Sequence, residues 1–279
     1  RKYFFDQGHS ERNQIITMHN SFHGRTLGSL SATAQKKFHT GFKPLLPGFK
    51  YIPFNDLPSA QKAITPKTCA ILVEPLQGEG GVNLPDPSYI KGLKKLCKKH
   101  GILLIFDEVQ TGFGRTGKLF AYELYNTKPD IMTLAKALGG GVAIGALAGT
   151  NRVMKSFVPG THAATFGGNP LACSAALATL KVLTGKNFLA KAQKTGSYFL
   201  EQLKKIAREN PVVKEARGTG MFLALELKKP GSNIVLDCMK QGFLINCIQQ
   251  NILRFIPPLI ISRKEIDSLI PVLTDSLDK

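Results

Sequence analysis

The chain has 279 residues, of which 43% are hydrophobic and 20% are charged, and its formal net charge is +18. This composition is typical of a globular protein with one large or two modest domains, and it excludes a disordered chain. No apolar stretch approaches the length of a membrane span, because the apolar segment 142–149 is short and interrupted by glycine, so we expect no membrane partner.

The positive charge by itself would fit nucleic acid binding, for which clustered basic residues are the expected pattern. The lysines instead come as helical pairs such as Lys94-Lys95 and Lys204-Lys205, without interleaved aromatic residues. We therefore expect a basic surface that binds no nucleic acid and that contributes some steering of anionic substrates.

The five cysteines form no C-x-x-C pair, and each lies in an apolar strand or helix pattern. This favours buried free thiols and a reducing cytoplasm, with neither disulfides nor zinc. The six histidines show no metal-ligand spacing, so no metal is expected.

Apolar runs bounded by turn residues predict an α/β domain in the first part of the chain. Its predicted strands lie at 14–18, 69–73, 102–106, 131–135 and 143–150. A helix-period stripe over 88–100 ends at Gly101, which predicts a βαβ unit with parallel strands. Residues 36–57 are rich in glycine, proline and phenylalanine, which predicts a long loop with a short edge strand.

The pattern changes near residue 187, which predicts domains at 1–186 and 187–279. Asn169 before Pro170 predicts the start of a helix over 171–182. The second domain is predicted to be α+β. Its predicted elements are a long helix at about 188–209, strands at 222–227, 242–246 and 252–256, and a final helix.

Two predicted strands end in side chains that could do chemistry together, Asp107 and Lys136. Ligands of open α/β sheets bind beyond the carboxyl ends of the strands. A lysine beside apolar walls can lose its proton and form a Schiff base, and a carboxylate can hold a protonated ring nitrogen. Pyridoxal phosphate needs both groups. The alternatives are structural, since such an aspartate can cap a helix and such a lysine can extend into solvent.

The segments 107–117 (DEVQTGFGRTG), 129–131 (PDI) and 136–141 (KALGGG) resemble the signature of class III aminotransferases. These are fold-type I pyridoxal-phosphate enzymes, and the resemblance, which covers nearly the whole chain, is greatest to acetylornithine and ornithine aminotransferases. It implies a large domain with a mainly parallel sheet, a C-terminal α+β small domain, pyridoxal 5'-phosphate and a homodimer with a shared active site. Family members normally carry roughly a hundred further upstream residues, including a phosphate-binding loop absent from this sequence.

The resemblance also implies roles for cofactor-binding residues. Lys136 would bind the cofactor covalently and then act as general acid and base, while Asp107 would keep the ring nitrogen protonated. Phe22 and Val109 would enclose the ring, and Gln110 would bond its phenolic oxygen. Without the resemblance, an aromatic such as Phe22 is more often a core residue.

Substrate roles follow from the same resemblance. Arg25 would bind a substrate carboxylate, and Arg254 would bind the α-carboxylate of glutamate. Glu79 would pair with Arg254 for the amine-bearing substrate and release it for glutamate. Without the resemblance, Arg25 and Arg254 would be interpreted as surface or structural residues, and Glu79 as an exposed carboxylate in a glycine turn.

Thr165 would bind the cofactor phosphate of the partner subunit, whereas His23 is expected to play no part. The family commonly shows Gly-Ser before this threonine, but here alanine occupies 163 and 164. The serine hydroxyl can contact substrate in acetylornithine enzymes, so this departure bears on substrate identity. N-acetylornithine with 2-oxoglutarate is the first expectation, and ornithine or another ω-amino acid is the second. An alternative of another class is a basic binding module without catalytic activity.

Overall fold

The computed structural model describes residues 1–279, which divide into two units. The first unit comprises Arg1–Gln77, Pro85–Gln110 and Tyr122–Lys181. The second unit comprises Gly78–Leu84, Thr111–Ala121 and Val182–Lys279. Two short segments therefore belong with the C-terminal part, which no local pattern had predicted. The division into domains 1–186 and 187–279 stays a prediction.

The strands are short, and most coincide with the predicted apolar runs. They are β1 Gln14–Met18, β2 Phe49–Ile52, β3 Thr68–Val73, β4 Leu103–Asp107, β5 Ile131–Leu134, β6 Ala146–Gly149, β7 Val213–Thr219, β8 Phe222–Leu227, β9 Asn246–Ile248 and β10 Ile252–Phe255.

Ten α-helices connect and cover the strands. They are α1 Lys2–Asp6, α2 Leu27–Ala32, α3 Lys36–His39, α4 Leu57–Ala63, α5 Pro87–His100, α6 Asn151–Met154, α7 Pro170–Leu183, α8 Phe188–Glu209, α9 Ser232–Lys240 and α10 Arg263–Leu277. Two 3-10 helices span Ala121–Tyr125 and Lys136–Gly139. None of the helices combines the length and the apolar composition that crossing a membrane requires.

The first unit is built on a six-stranded sheet with the order β2-β1-β3-β4-β5-β6. All neighbouring strands are parallel except β5 and β6, which are antiparallel. Strand β3, helix α5 and strand β4 form the predicted βαβ unit, and Gly101 ends α5 in the left-handed conformation with φ of 62°. The carboxyl ends of β4 and β5 are also adjacent, because Asp107 pairs with Thr133.

The second unit is built on an antiparallel sheet with the order β7-β8-β10-β9. Its core combines strand residues such as Leu225 and Leu253 with residues of three helices, including Leu203 of α8, Cys238 of α9 and Leu273 of α10. The separate antiparallel sheet and its helices confirm the predicted fold class, an α/β unit followed by an α+β unit.

Three local predictions differ from the structure. The strand predicted at 242–246 begins only at Asn246, because the turn after α9, with Gly242 at a φ of 87°, occupies the preceding residues. Strand β7 was not predicted because its sequence, VKEARGT, is polar and buries only Val213. The predicted loop 36–57 holds an edge strand as expected, but it also contains the one-turn helix α3.

Candidate active site

Asp107 lies at the carboxyl end of β4, where its side chain is 8% exposed. Its Oδ2 is 2.7 Å from Nδ1 of His23, and its Oδ1 accepts a hydrogen bond from the backbone N–H of Val109 at 3.1 Å. Burial raises the pKa of this carboxyl, but the hydrogen bond and charge of His23 outweigh burial and bring the pKa below its usual value. The site therefore contains a buried carboxylate that stays ionised.

His23 contacts Asp107 directly, a contact that the sequence did not indicate. Its side chain is 3% exposed, and its Nε2 is buried without a hydrogen-bond partner, so Asp107 holds the ring from one side. Burial lowers the pKa of His23, but the adjacent Asp107 carboxylate raises it by more, so the pKa lies above its ordinary value. The only signal in the sequence was its position between Phe22 and Arg25.

Phe22 and Arg25 meet at a third side chain, Phe38 of α3. The rings of Phe22 and Phe38 pack edge to face with centroids 5.6 Å apart. The guanidinium carbon of Arg25 lies 4.1 Å from the Phe38 centroid and 5.5 Å from that of Phe22. The backbone N–H of Phe22 also donates to Oε1 of Glu74 at 2.9 Å. An exposed guanidinium is thus held against two rings, where cation–π attraction orients it.

Lys136 lies two residues after the end of β5 and begins the second 3-10 helix. It is exposed, and its φ of 49° lies in the left-handed region, which a residue with a side chain seldom adopts. Such strain is typical of functional positions. Since Asp107 pairs with Thr133, the structure brings the ends carrying Asp107 and Lys136 together as predicted. Val109 and Gln110 lie two and three residues after the end of β4 and are half-buried.

Thr165 lies in an exposed segment before α7. Asn169 caps that helix as predicted, with its Oδ1 accepting from the backbone N–H of Ala172 at 2.9 Å. The neighbouring Phe166 is 82% exposed, and Leu171 and Leu177 of α7 are 75% and 67% exposed. The segment with Thr165 therefore stands beside exposed apolar side chains.

The second unit contains Glu79 and Arg254, which form an ion pair. Arg254 lies on β10 with a side chain that is 7% exposed, and its Nη1 donates to Oε1 of Glu79 at 2.8 Å. Its Nε donates to Oδ1 of Asn246 at 3.3 Å. The side chain of Glu79 is 29% exposed, and its backbone carbonyl accepts from Nε2 of Gln249 at 2.8 Å. Glu79 and Arg254, which are 175 residues apart in the sequence, therefore meet as predicted.

A profile of the family described as aminotransferase class-III matches residues 1–277. The chain belongs to the class III aminotransferases. It is 49% identical over 280 residues to the acetylornithine aminotransferase of Caldanaerobacter subterraneus subsp. tengcongensis, a match that covers 100% of this chain and 71% of that protein.

Solved structures agree with this membership. The ornithine aminotransferase of Toxoplasma gondii is 35% identical, with a TM-score of 0.94 over 99% of this chain and 68% of that one. An amine transaminase from an uncultivated Pseudomonas species, solved in its PLP-bound form, is 29% identical, with a TM-score of 0.93 over 100% of this chain and 72% of that one.

The chain is thus an aminotransferase whose cofactor is pyridoxal 5'-phosphate, and the residues of the first unit fit that cofactor. Asp107 is a buried, ionised carboxylate of the kind that keeps a pyridine nitrogen protonated. Phe22 offers an aromatic ring that can cover a flat ring, and Lys136 offers an exposed amine in a strained backbone position at the neighbouring strand end. The chemistry of these side chains matches the acid partner, the ring contact and the amine that the cofactor requires.

Proposed function

We propose that this aminotransferase transfers the amino group of N2-acetyl-L-ornithine to 2-oxoglutarate, giving N-acetylglutamate 5-semialdehyde and glutamate, a reaction of arginine biosynthesis. The observation that carries the proposal is the 49% identity, over the whole chain, to an acetylornithine aminotransferase. The reaction proceeds in two half-reactions, because donor and acceptor use the same groups in turn.

The residues of the first unit divide the chemistry among them. When bound, pyridoxal phosphate supplies an electron sink for the charge that develops on the substrate carbon. Nζ of Lys136 would hold the cofactor between turnovers, and it would then take the proton from the amino-bearing carbon and later return one. Asp107 would hold the proton on the ring nitrogen, and His23 keeps the Asp107 carboxylate ionised and oriented. With the cofactor bound, Phe22 and Val109 would enclose its ring, and Gln110 would bond its phenolic oxygen.

Three charged side chains sort the substrates. Arg25 binds a carboxylate of the amine donor, since a guanidinium fork matches a carboxylate. Arg254 binds the α-carboxylate of glutamate and of 2-oxoglutarate. Glu79 neutralises Arg254 while the donor is bound and gives it up when the acceptor arrives. The ion pair at 2.8 Å supports the neutralised state of this exchange.

A second candidate substrate is ornithine or another ω-amino acid. Two observations favour it: the structural similarity to an ornithine aminotransferase, and Ala164 at a position where the family commonly has a serine. Without that hydroxyl, one potential hydrogen bond to the acetylated donor is lost. The two candidates differ only in the amine donor.

We further propose a cytoplasmic homodimer in which Thr165 binds the cofactor phosphate of the partner subunit. The exposed side chains of Phe166, Leu171 and Leu177 support a covered face, because soluble monomers seldom expose apolar side chains in groups. Five free cysteines support a reducing compartment. Light scattering tests the assembly: twice the chain mass is expected, and the monomer mass at micromolar concentration would contradict it.

Steady-state kinetics with 2-oxoglutarate as acceptor test the substrate. We expect a kcat/KM for N-acetylornithine at least about tenfold above that for ornithine, which is the factor that one good polar contact provides. Glutamate must form in equal amount to the donor consumed. The reverse preference would establish ornithine as the donor, and turnover of neither amine would contradict the proposal.

A further inference from the structure

Arg217 of β7 has no role in the chemistry described above, yet its guanidinium contacts the loop that carries Glu79. Its Nη2 donates to the carbonyl oxygen of Gly81 at 2.6 Å, and its Nε lies 3.2 Å from the same oxygen and 3.1 Å from that of Val82. These contacts join residues about 135 positions apart, and Arg217 is only 16% exposed. One side chain therefore fixes two consecutive carbonyl groups just after Glu79.

The charge of Arg217 is neutralised by carboxylates other than Glu79. Its Nη1 forms ion pairs with Glu226 of β8 and with Glu215 of β7. Burial raises the pKa of Glu226, but hydrogen bonds from Lys214 and Arg217 outweigh burial and bring the pKa below its usual value. Because these carboxylates occupy it, Arg217 does not compete with Arg254 for the carboxylate of Glu79.

The absence of a side chain at Gly81 leaves space for the Arg217 guanidinium. Gly81 has a φ of 129°, and a side chain there would come within 2.9 Å of Ile252 and 3.5 Å of Nη2 of Arg217. Gln249 also donates to the Glu79 carbonyl, at 2.8 Å. The backbone carbonyls of Glu79, Gly81 and Val82 are thus held, while the Glu79 side chain remains 29% exposed.

We propose that Arg217 is a positioning residue for substrate selection: it fixes the backbone at Gly81 and Val82 so that the carboxylate of Glu79 reaches Arg254. The selection then depends on rotation of the Glu79 side chain above a fixed loop. This inference rests on the proposed exchange role of Glu79. It predicts that loss of Arg217 has the same effect as partial loss of Glu79.

The direction of the effect follows from charge. When the loop is no longer held, Glu79 neutralises Arg254 less often, and the free guanidinium favours a substrate with a carboxylate at that place. In Arg217→Met, the ratio of kcat/KM for N-acetylornithine to kcat/KM for glutamate should therefore fall about three- to tenfold, the value of one or two hydrogen bonds. In Arg217→Lys the fall should be smaller, because an ammonium keeps one contact but cannot reach two carbonyls.

The matched control is Lys214→Met. Lys214 pairs with Glu226 at 2.6 Å from the exposed side, but it has no hydrogen bond to the loop. This variant should leave the kcat/KM ratio unchanged. A shift as large as that of Arg217→Met would mean that the charge on Glu226, rather than the loop contact, determines the selection, and it would overturn the inference.

The decisive experiment combines Arg217→Met with Glu79→Gln in a double-mutant cycle. If Arg217 acts through Glu79, it should shift the ratio in the wild-type background and cause no further shift in Glu79→Gln. Additive shifts would overturn the inference. A shift in Glu79→Gln without a shift in Arg217→Met would overturn the inference but leave the exchange role of Glu79 standing. No shift in Glu79→Gln would remove both the exchange role and the inference, while wild-type turnover of N-acetylornithine would still support the proposed function.

A measurement independent of activity covers the case in which Arg217→Met is too unstable for kinetics. Hydrogen exchange of the peptide containing residues 78–84 should be at least about threefold faster in Arg217→Lys than in the wild type and in Lys214→Met. Exchange in helix α10, far along the chain in the same unit, should be unchanged. Equal exchange of the loop peptide in all three proteins would contradict the positioning role.

Discussion

Two ion pairs of nearly equal length, one in each unit, differ in their burial. His23 and Asp107 in the first unit are 2.7 Å apart, and their side chains are 3% and 8% exposed. Arg254 and Glu79 in the second unit are 2.8 Å apart, but their side chains are 7% and 29% exposed. Burial, rather than distance, therefore separates a pair suited to one fixed state from a pair with one partly exposed member.

This difference matches the tasks proposed for the two pairs. A carboxylate that must stay ionised through every turnover is best enclosed with a permanent partner, because water cannot then compete for it. A carboxylate that must leave its partner for each acceptor needs access to solvent, which lowers the free energy of separation. Changes at the first pair should therefore reduce catalysis itself, whereas changes at the second should alter the choice of substrate.

The largest effect is expected from Asp107→Asn, which removes the negative charge from the buried pair. An amide cannot keep the ring nitrogen protonated, so kcat should fall by about 10²–10³-fold with both donor and acceptor. Stopped-flow kinetics of each half-reaction measure this fall. The control Asp86→Asn removes an exposed helix-cap carboxylate in the same unit and should retain wild-type kcat. An equal kcat in Asp107→Asn and Asp86→Asn would contradict the role of Asp107.

A smaller and different effect is expected from Glu79→Gln, which removes the charge from the half-exposed pair. Because Arg254 is then never neutralised, the kcat/KM ratio of N-acetylornithine to glutamate should fall about 10- to 100-fold while kcat for glutamate is retained. Glu201→Gln, an exposed carboxylate on α8, serves as control. If Glu79→Gln lowered kcat for both substrates equally, the distinction between the two pairs would fail.

The smallest effect is expected from His23→Asn, which tests how the buried pair is held. The His23 hydrogen bond lowers the pKa of Asp107 against burial, so its loss should raise that pKa. Activity needs ionised Asp107 and is lost as pH falls through its pKa, so the acid limb of the kcat profile should move to higher pH. At neutral pH, kcat should fall about fivefold. An acid limb that stays in place would show that His23 does not act through Asp107.

The sequence predicted what local patterns determine. Apolar runs predicted strands β1, β3, β4 and β5, because strands buried on both faces need continuous apolar side chains. The helix α8 was predicted with both its bounds, from its periodicity and the proline after it. The polar strand β7 could not be predicted, because only Val213 is buried and its sequence shows neither an apolar run nor an alternation.

Long-range pairings were beyond local patterns. Glu79 and Arg254 are 175 residues apart, and only the resemblance to a family suggested that they meet. Nothing near His23 indicated that its ring would face Asp107, which is 84 residues away. Arg217 was likewise overlooked, because an arginine on a polar strand is usually a surface charge. The roles of all these residues remain predictions that the variants above test.

The most direct test of the central claim is an absorbance titration of the chain and of Lys136→Ala with pyridoxal phosphate, followed by N-acetylornithine and then 2-oxoglutarate. In the wild type, a visible absorbance band should form, bleach with the amine and return with the oxo acid. In Lys136→Ala, the cycle should be slower by at least about 10²-fold, since the proton-transferring amine is gone. A Lys136→Ala chain that cycles at the wild-type rate would contradict the account.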